Sequence, residues 1–585
     1  MPSLRKPLIL LLLAAILLPA AQPLHAAGMR PAHAGKAMVA SGHELASQAG
    51  VEMVRAGGNA VDAAVATGFA LAVVHPQAGN LGGGGLLLLR FADGRVHFLD
   101  FREKAPAAAA RDMYLDAQGN VIEKASEIGY RAIAVPGSVA GLAYAQKKWG
   151  KLSLRRVMAP AIRLARQGFV LAYEDAEDLR DKDLEKFPAS RRIFQRDGNY
   201  YQQGEIFRQP ELARTLERIA KNPSDFYRGA MARELAAAMQ RGGGLITEAD
   251  LASYEVKERE PVRGTYRGYE VISAPPPSSG GIALIEALNI LEGYDLARLG
   301  NRSADSIHLT AEAFRRAFFD RAQFLGDPDF SPIPVAQLID KRYAAAWRQE
   351  LDPQHATISA DLRRPAGIFN ELDRTAGILP GAVAESAHTT HYSVVDAGGN
   401  AVSVTTTLND SLGSRVTADG LGFLMNNEMD DFSVKPGVPN LYGLIQGPAN
   451  AVGPGKRPLS AMTPTFVLKD GKLLLVLGSP GGPRIITTVA NVLMGVIDYG
   501  LDIQEAVNAP RFHHQWLPDW LYLERTGFSP DTRRALVERG HKFNPRDPVY
   551  PSGYWSDGQC IAIDPKTGER LGGSDLRNNG KAAGY

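Results

Sequence analysis

Cysteine is nearly absent: Cys560 is the sole one in 585 residues. No intrachain disulfide can form, and no cluster of thiolate metal ligands can be built. Flanked by Gly558, Gln559, Ile561 and Ala562, the thiol has the surroundings of a core strand rather than those of a reactive group. An excess of charge of either sign is also missing, with a net charge of +2 and a pI near 8.4. That balance leaves no bulk field to draw the chain to nucleic acid or to an anionic membrane surface, so small-molecule chemistry is the default. Long apolar runs are lacking too. The stretch Leu8 to Leu18 is broken by Pro19 and falls well short of the roughly 20 residues that cross a bilayer. With Arg5 and Lys6 before it and Ala26 and Ala27 after it, this stretch is expected to be a secretory leader over residues 1–27. The expectation is a periplasmic or secreted protein with no membrane attachment once the leader is removed.

Several catalytic signatures are missing as well. No Gly-x-Ser-x-Gly elbow occurs. The glycines Gly82 to Gly85 are not followed by the Lys-Ser or Lys-Thr of a phosphate cradle. The histidine pairs His388 with His391 and His513 with His514 have neither helical ligand spacing nor a recurring acidic partner. Nothing in the sequence calls for a metal or another cofactor.

What is present is an ordinary globular composition, 45% hydrophobic and 22% charged, with ample material for a large core. Ser41-Gly42-His43-Glu44 predicts a capping box that opens a helix running toward Gly57-Gly58, and Asn59 then caps an alanine-rich helix through Val74. Four glycines, Gly82 to Gly85, precede the apolar run Leu86 to Leu89, which suits a strand where two backbones come close. Helical periodicity covers residues near 209–222, 225–240 and 303–325, punctuated by turns such as Pro275 to Gly281. Thr465–Lys469 and Lys472–Leu477 flank Asp470-Gly471 as a hairpin, and residues 484–496 are apolar enough to pack on a sheet as a helix. Strands mixed with long amphipathic helices predict a layered α/β architecture.

The segment Glu385-Ser386-Ala387-His388-Thr389-Thr390-His391-Tyr392 is the most informative. Its first four residues end the stretch 361–388, which is rich in Pro, Gly and charge without periodicity, as suits a segment that presents a scissile bond. Cutting before Thr389 would make it an amino-terminal threonine, whose own α-amine (pKa about 7.7 to 8.0) can accept the proton of its own hydroxyl. A second alternating run, Asn400 to Asn409, follows the turn Ala397-Gly398-Gly399 and would bring Thr407 and Asn409 near Thr389.

With Thr389 to Asp396 and Leu424-Met425-Asn426-Asn427-Glu428-Met429-Asp430-Asp431-Phe432-Ser433 in view, the chain resembles the γ-glutamyltranspeptidases, also called glutathione hydrolases. The resemblance continues through Arg457 to Thr465, Gly478 to Gly482, and upstream through Asp100 to Pro106. It implies the four-layer αββα sandwich of the Ntn-hydrolases, an α/β fold. It implies cleavage between His388 and Thr389 into a large subunit, residues 28–388, and a small catalytic subunit, residues 389–585. Thr389 would be the nucleophile, Thr407 its orienting partner, and Gly481 and Gly482 the donors to the oxyanion. Arg102 would take the substrate's α-carboxylate together with Ser460; Asn409, Glu428 and Asp431 would take its α-ammonium. Tyr442 would close a lid over the pocket. The implied partners are small molecules, namely glutathione, other γ-glutamyl compounds and acceptor amino acids or peptides. One departure stands out: many relatives carry a second serine where this chain has Ala461.

Two other readings compete. One is an acylase of the same family acting on glutaryl side chains of β-lactams. The other is an exported protein that binds amino-acid derivatives without catalysis.

Overall fold

The computed structural model describes residues 29–370, 372, 389–544 and 555–585. The predicted leader, His388 and most of the segment 361–388 lie outside them. Within the unit Pro31–Tyr585, alternating apolar residues build two seven-stranded sheets, antiparallel throughout. Edge to edge, the first runs Lys581–Gly584, Met38–Ser41, Thr390–Val395, Ala401–Thr407, Gly84–Arg90, Val96–Phe101 and Lys257–Arg259. The second runs Ala32–Ala34, Arg570–Ser574, Gln559–Ile563, Lys472–Leu477, Thr465–Lys469, Tyr269–Ser273 and Val262–Tyr266.

The strand period of two decides which residues meet. Leu86, Leu88, Phe98 and Ala401 of the first sheet pack on Ile272, Phe466, Val476 and Ile561 of the second, which makes the core between the sheets. The opposite face of the first sheet, with Leu87, Leu89, Val394, Val402 and Val404, joins Phe69 and Leu71 of the helix Ala60–Val74. Beyond the second sheet, Val271, Val467, Leu475 and Leu477 join the helices Gly280–Leu291, Ala304–Phe324 and Arg484–Ile497. The order is helix, sheet, sheet, helix, the predicted αββα sandwich.

Local chemistry explains the element ends. Asn59 caps the helix Ala60–Val74 with Asp62 as the reciprocal partner, as expected, and the whole helix is buried. The preceding helix, Glu44–Arg55, differs from expectation. Its cap is His43, whose Nδ1 accepts from the Leu45 N–H at 3.2 Å. Ser41 cannot serve because it is the last residue of a strand paired with Tyr392 and Lys581. The pattern near 225–240 forms two helices, Asp225–Arg228 and Ala230–Arg241, since Gly229 at φ −120°, ψ −154° interrupts the helical backbone. Cys560 lies in the strand Gln559–Ile563, where burial pushes its thiol up to about 12.

Both sheets contain strands from both sides of residue 388. Met38–Ser41 and Gly84–Arg90 flank the hairpin Thr390–Val395 and Ala401–Thr407, so the two parts of the chain share one hydrogen-bonded ladder. Gly83 shows how tight that joint is. A Cβ there would collide with the Thr407 carbonyl oxygen and the Asn80 side chain. Gly83→Ala is therefore expected to lower stability by about 1–3 kcal/mol or more. Gly35→Ala, where nothing lies within 4 Å of the added carbon, should stay within about 0.5 kcal/mol of wild type. Urea midpoints of the two variants check this; equal values would mean that the ladder tolerates the extra atom.

Candidate active site

Thr389 sits immediately before the strand Thr390–Val395. Pairing of Thr390 with Thr406 places Thr407 opposite Thr389, and their Oγ1 atoms are 3.1 Å apart. Both residues are buried. The Thr407 hydroxyl accepts from the Asn409 N–H at 2.8 Å. Asn409 has φ 79°, a left-handed conformation that Asn adopts more readily than most residues. Its side-chain amide donates to the Asn427 carbonyl at 3.0 Å, and its own carbonyl accepts from the Tyr442 hydroxyl at 2.6 Å. At the far end of the hairpin, Asp396 accepts from the N–H groups of Asn400 and Ala60, both at 2.9 Å, which fixes the turn against a helix start.

Arg102 follows the strand Val96–Phe101, and its backbone N–H donates to Asp100 at 2.9 Å. Its guanidinium is buried and forms ion pairs with Glu428 and Asp431, with Glu103 at 3.6 Å. It is not engaged in a surface pair with Asp100, whose carboxylate is taken by Arg457 at 2.9 Å and Arg259 at 2.7 Å. Glu428 and Asp431 come from one short 3₁₀ turn, Glu428–Asp431. Burial alone would lower the Arg102 pKa, but Glu428, Asp431 and Glu103 outweigh it and hold the charge firmly. Burial pushes the Glu103 carboxyl up to about 7 and the Glu428 carboxyl well above its usual range, with Arg102 pulling both down.

Gly481 and Gly482 have φ 128° and 54°, which L side chains rarely adopt. They precede the helix Arg484–Ile497, whose aligned peptide dipoles favour negative charge at this end. Among the described residues, no acceptor takes the N–H of either glycine. Gly482 faces the pocket, and a Cβ on it would press on the Tyr442 ring. Tyr442 itself is buried, in the loop predicted as a lid.

One pocket brings most of the predicted residues together. Thr389, Thr407, Asn409 and Gly482 line it, as do Arg102, Glu428, Asp431, Ser460 and Tyr442. Gly481 is not among the lining residues, and His388 is outside the described residues. Ala461 contributes a methyl group to the wall. Arg321 lines the pocket too and was not singled out from the sequence. A signal existed: position 321 is three, four and seven residues beyond the buried Phe318, Ala317 and Phe314, so this arginine stands on the core face of its helix. His391 and His513 are engaged locally, His391 with Thr405 at 2.9 Å and His513 with Thr487 at 2.9 Å.

Residues 46–585 match the family described as Gamma-glutamyltranspeptidase. The chain is 50% identical over 568 residues to a glutathione hydrolase proenzyme of Pseudomonas sp. strain A14, covering 96% of each. It is 49% identical to the glutathione hydrolase proenzyme of Escherichia coli strain K12, covering 95% of this chain and 93% of that one. Among solved structures, cephalosporin acylase from Bacillus halodurans superposes with a TM-score of 0.81 at 30% identity, covering 97% of this chain and 99% of that one.

The raised carboxyls have a consequence for stability. Between about pH 4.3, where a free glutamate ionises, and about 7, the folded protein keeps a proton on Glu103 that the unfolded chain has released. The folded state is therefore favoured at the acid end of that window and loses the advantage as pH rises through about 7. Glu103→Gln should lose less stability than wild type between pH 5 and pH 8, by of order 1 kcal/mol. Urea midpoints at the two pH values measure this; parallel losses in both proteins would show that Glu103 carries no such proton.

Proposed function

The chain belongs to the γ-glutamyltranspeptidase family, and from that premise we propose that it is an exported, self-processing glutathione hydrolase and γ-glutamyltransferase. The observation that carries the reading is the 3.1 Å pair of Thr389 and Thr407 hydroxyls at the edge of a pocket that also holds Arg102, Asp431 and Gly482. Cleavage between His388 and Thr389 would free the Thr389 amine. With a pKa about 7.7 to 8.0, that amine takes the proton of the Thr389 hydroxyl as the oxygen attacks the γ-carbonyl of a γ-glutamyl amide.

Charge that develops on the carbonyl oxygen would meet the N–H groups of Gly481 and Gly482, which have no backbone acceptor among the described residues. The Thr389 ammonium then returns its proton to the departing amine, leaving the γ-glutamyl group on the Thr389 oxygen. Water or an acceptor amino acid or peptide resolves this ester by the same route in reverse. Thr407 holds the nucleophile's orientation. At the other end, Arg102 and Ser460 receive the α-carboxylate, and Asn409, Glu428 and Asp431 receive the α-ammonium. Tyr442, tethered to Asn409 at 2.6 Å, covers the pocket and favours small peptides over long polymers.

The acylase reading rests on the similarity to the Bacillus halodurans cephalosporin acylase. Against it stands the acidic cluster: a glutaryl group has no ammonium to meet Glu428 and Asp431. Export rests on residues 1–27. Among the described residues, no helix is long and apolar enough to cross a membrane.

Purified wild-type protein should run as two bands, the smaller beginning Thr-Thr-His-Tyr by Edman degradation. Thr389→Ala should give one band and no turnover of γ-glutamyl anilide. Thr407→Val should be processed more slowly and lose on the order of 10²-fold in kcat, since misplacing a nucleophile slightly costs about that much. An uncleaved wild-type chain that turns over substrate would end the reading.

A further inference from the structure

One guanidinium in the pocket has no part in the reaction above. Arg321, on the helix Ala304–Phe324, is 2% exposed and lines the same cavity as Thr389, Ser460 and Ala461. Its Nε donates to the Ser279 hydroxyl at 2.9 Å, and that hydroxyl donates to the Ser460 carbonyl at 2.6 Å. The side chain is thus seated on the wall that Ser460 and Ala461 form. Its Nη1 is enclosed and has no acceptor. Burial lowers the Arg321 pKa to about 10, with Asp431 opposing, so the group is still charged at neutral pH.

Its situation is the reverse of that of Arg102. Arg102 is met by Glu428 and Asp431 and has Glu103 close by, so an incoming carboxylate must compete with carboxylates already in place. Arg321 offers a buried cationic donor, Nη1, whose hydrogen-bonding capacity is unmet. A buried charge without a partner is strongly unfavourable, and a ligand that supplies the partner gains the difference. Beside it Ala461 presents a methyl group, which can make no polar contact with an anion.

We propose that Arg321 is a second guanidinium for the α-carboxylate of the γ-glutamyl donor, with Nη1 donating to a carboxylate oxygen while Nε stays on Ser279. This rests on the γ-glutamyl reading of the pocket. Arg321 then shares with Arg102 the task of selecting donors that carry the carboxylate. A donor without it leaves the buried cation unmet and is rejected, as sites built to bind a polar group reject analogues that lack it.

The test compares two donors, γ-glutamyl anilide and 4-aminobutyryl anilide, the second lacking only the α-carboxylate. In Arg321→Gln, kcat/KM for γ-glutamyl anilide should fall about 100-fold, mainly through KM, as expected for a lost charge-assisted hydrogen bond. The value for 4-aminobutyryl anilide should stay within about threefold. Arg321→Lys, which keeps the charge without the fork, should lie between. Equal losses on both donors in folded, processed variants would overturn the proposal, because they would mean that Arg321 acts only through Ser279 on the shape of the wall. Crystals of wild-type protein soaked in L-glutamate give a readout that needs no variant. An α-carboxylate oxygen within about 3 Å of Nη1 is expected; a carboxylate more than about 4 Å from both terminal nitrogens overturns the proposal. A wild-type control that turns over no γ-glutamyl donor removes the underlying reading and this inference with it. That outcome is distinguishable because it appears before any variant is made.

Discussion

Burying one guanidinium among carboxylates is the constraint on which the rest of the site depends. Arg102 is 1% exposed, and an unpaired charge at such depth would be untenable. Its partners are drawn from separate parts of the chain: Glu103 beside it, then Glu428 and Asp431 from one turn more than three hundred residues away. The same side chain donates to the Pro458 carbonyl at 3.2 Å. One residue therefore fixes the separation of three segments that wall the pocket. Breaking such a cluster by removing one member leaves the others buried and uncompensated, which costs far more than a surface pair.

The end of the pocket with Thr389 and Thr407, the proposed reacting end, is held by backbone rather than by charge. Asn80 donates to the Thr407 carbonyl at 2.9 Å and accepts from the Gly83 N–H at 3.1 Å. Asn426 donates to the Gly82 carbonyl at 2.7 Å and accepts from the Glu428 N–H at 3.0 Å. Two buried asparagines thus lock the strand end that carries Thr407 and the turn that carries Glu428 onto the same glycine stretch. That stretch can lie so close only because it has no side chains: a Cβ on Gly82 or Gly83 would strike the carbonyl of Leu424 or Thr407. A hydroxyl pair held by such a frame needs little reorganisation to react, which is where much of an enzyme's advantage arises.

Much of this was legible in the sequence. The alternation on either side of Ala397-Gly398-Gly399 implied a hairpin, and its register leads directly to the Thr389–Thr407 contact. Asn59 and Asp470-Gly471 spoke for themselves through local cap and turn chemistry. Where local signals failed, a tertiary demand had overridden them. Ser41 looked like a cap but was claimed by strand pairing on both sides, leaving the role to His43. Arg102 could have been a surface ion-pairing residue by its neighbours in sequence; only the approach of residues 428–431 makes it a buried hub. Helical spacing could mark Arg321 as facing the core, but nothing in its helix says what it meets there. Its partner Ser279 and the wall at Ser460 come from elsewhere in the chain.

The charges in the pocket bear on which substrates suit it. Arg102 faces Glu103, Glu428 and Asp431, and Arg321 feels the charge of Asp431. Burial raises Glu103 to about 7 and Glu428 well above its normal range, with Arg102 pulling both down. On the proposed reading, a ligand that brings only a carboxylate meets the free Arg321 donor but brings no cation to Glu428 and Asp431. A ligand that brings carboxylate and ammonium on one carbon does more. Its ammonium favours the ionised form of Glu428, while its carboxylate meets the Arg321 Nη1, which has no acceptor. Each half of the zwitterion thereby makes the pocket more receptive to the other. On that reading an α-amino acid head would be recognised as a unit, and the hydroxyl absent at Ala461 would be a small loss beside the charged donor Arg321 in the same pocket.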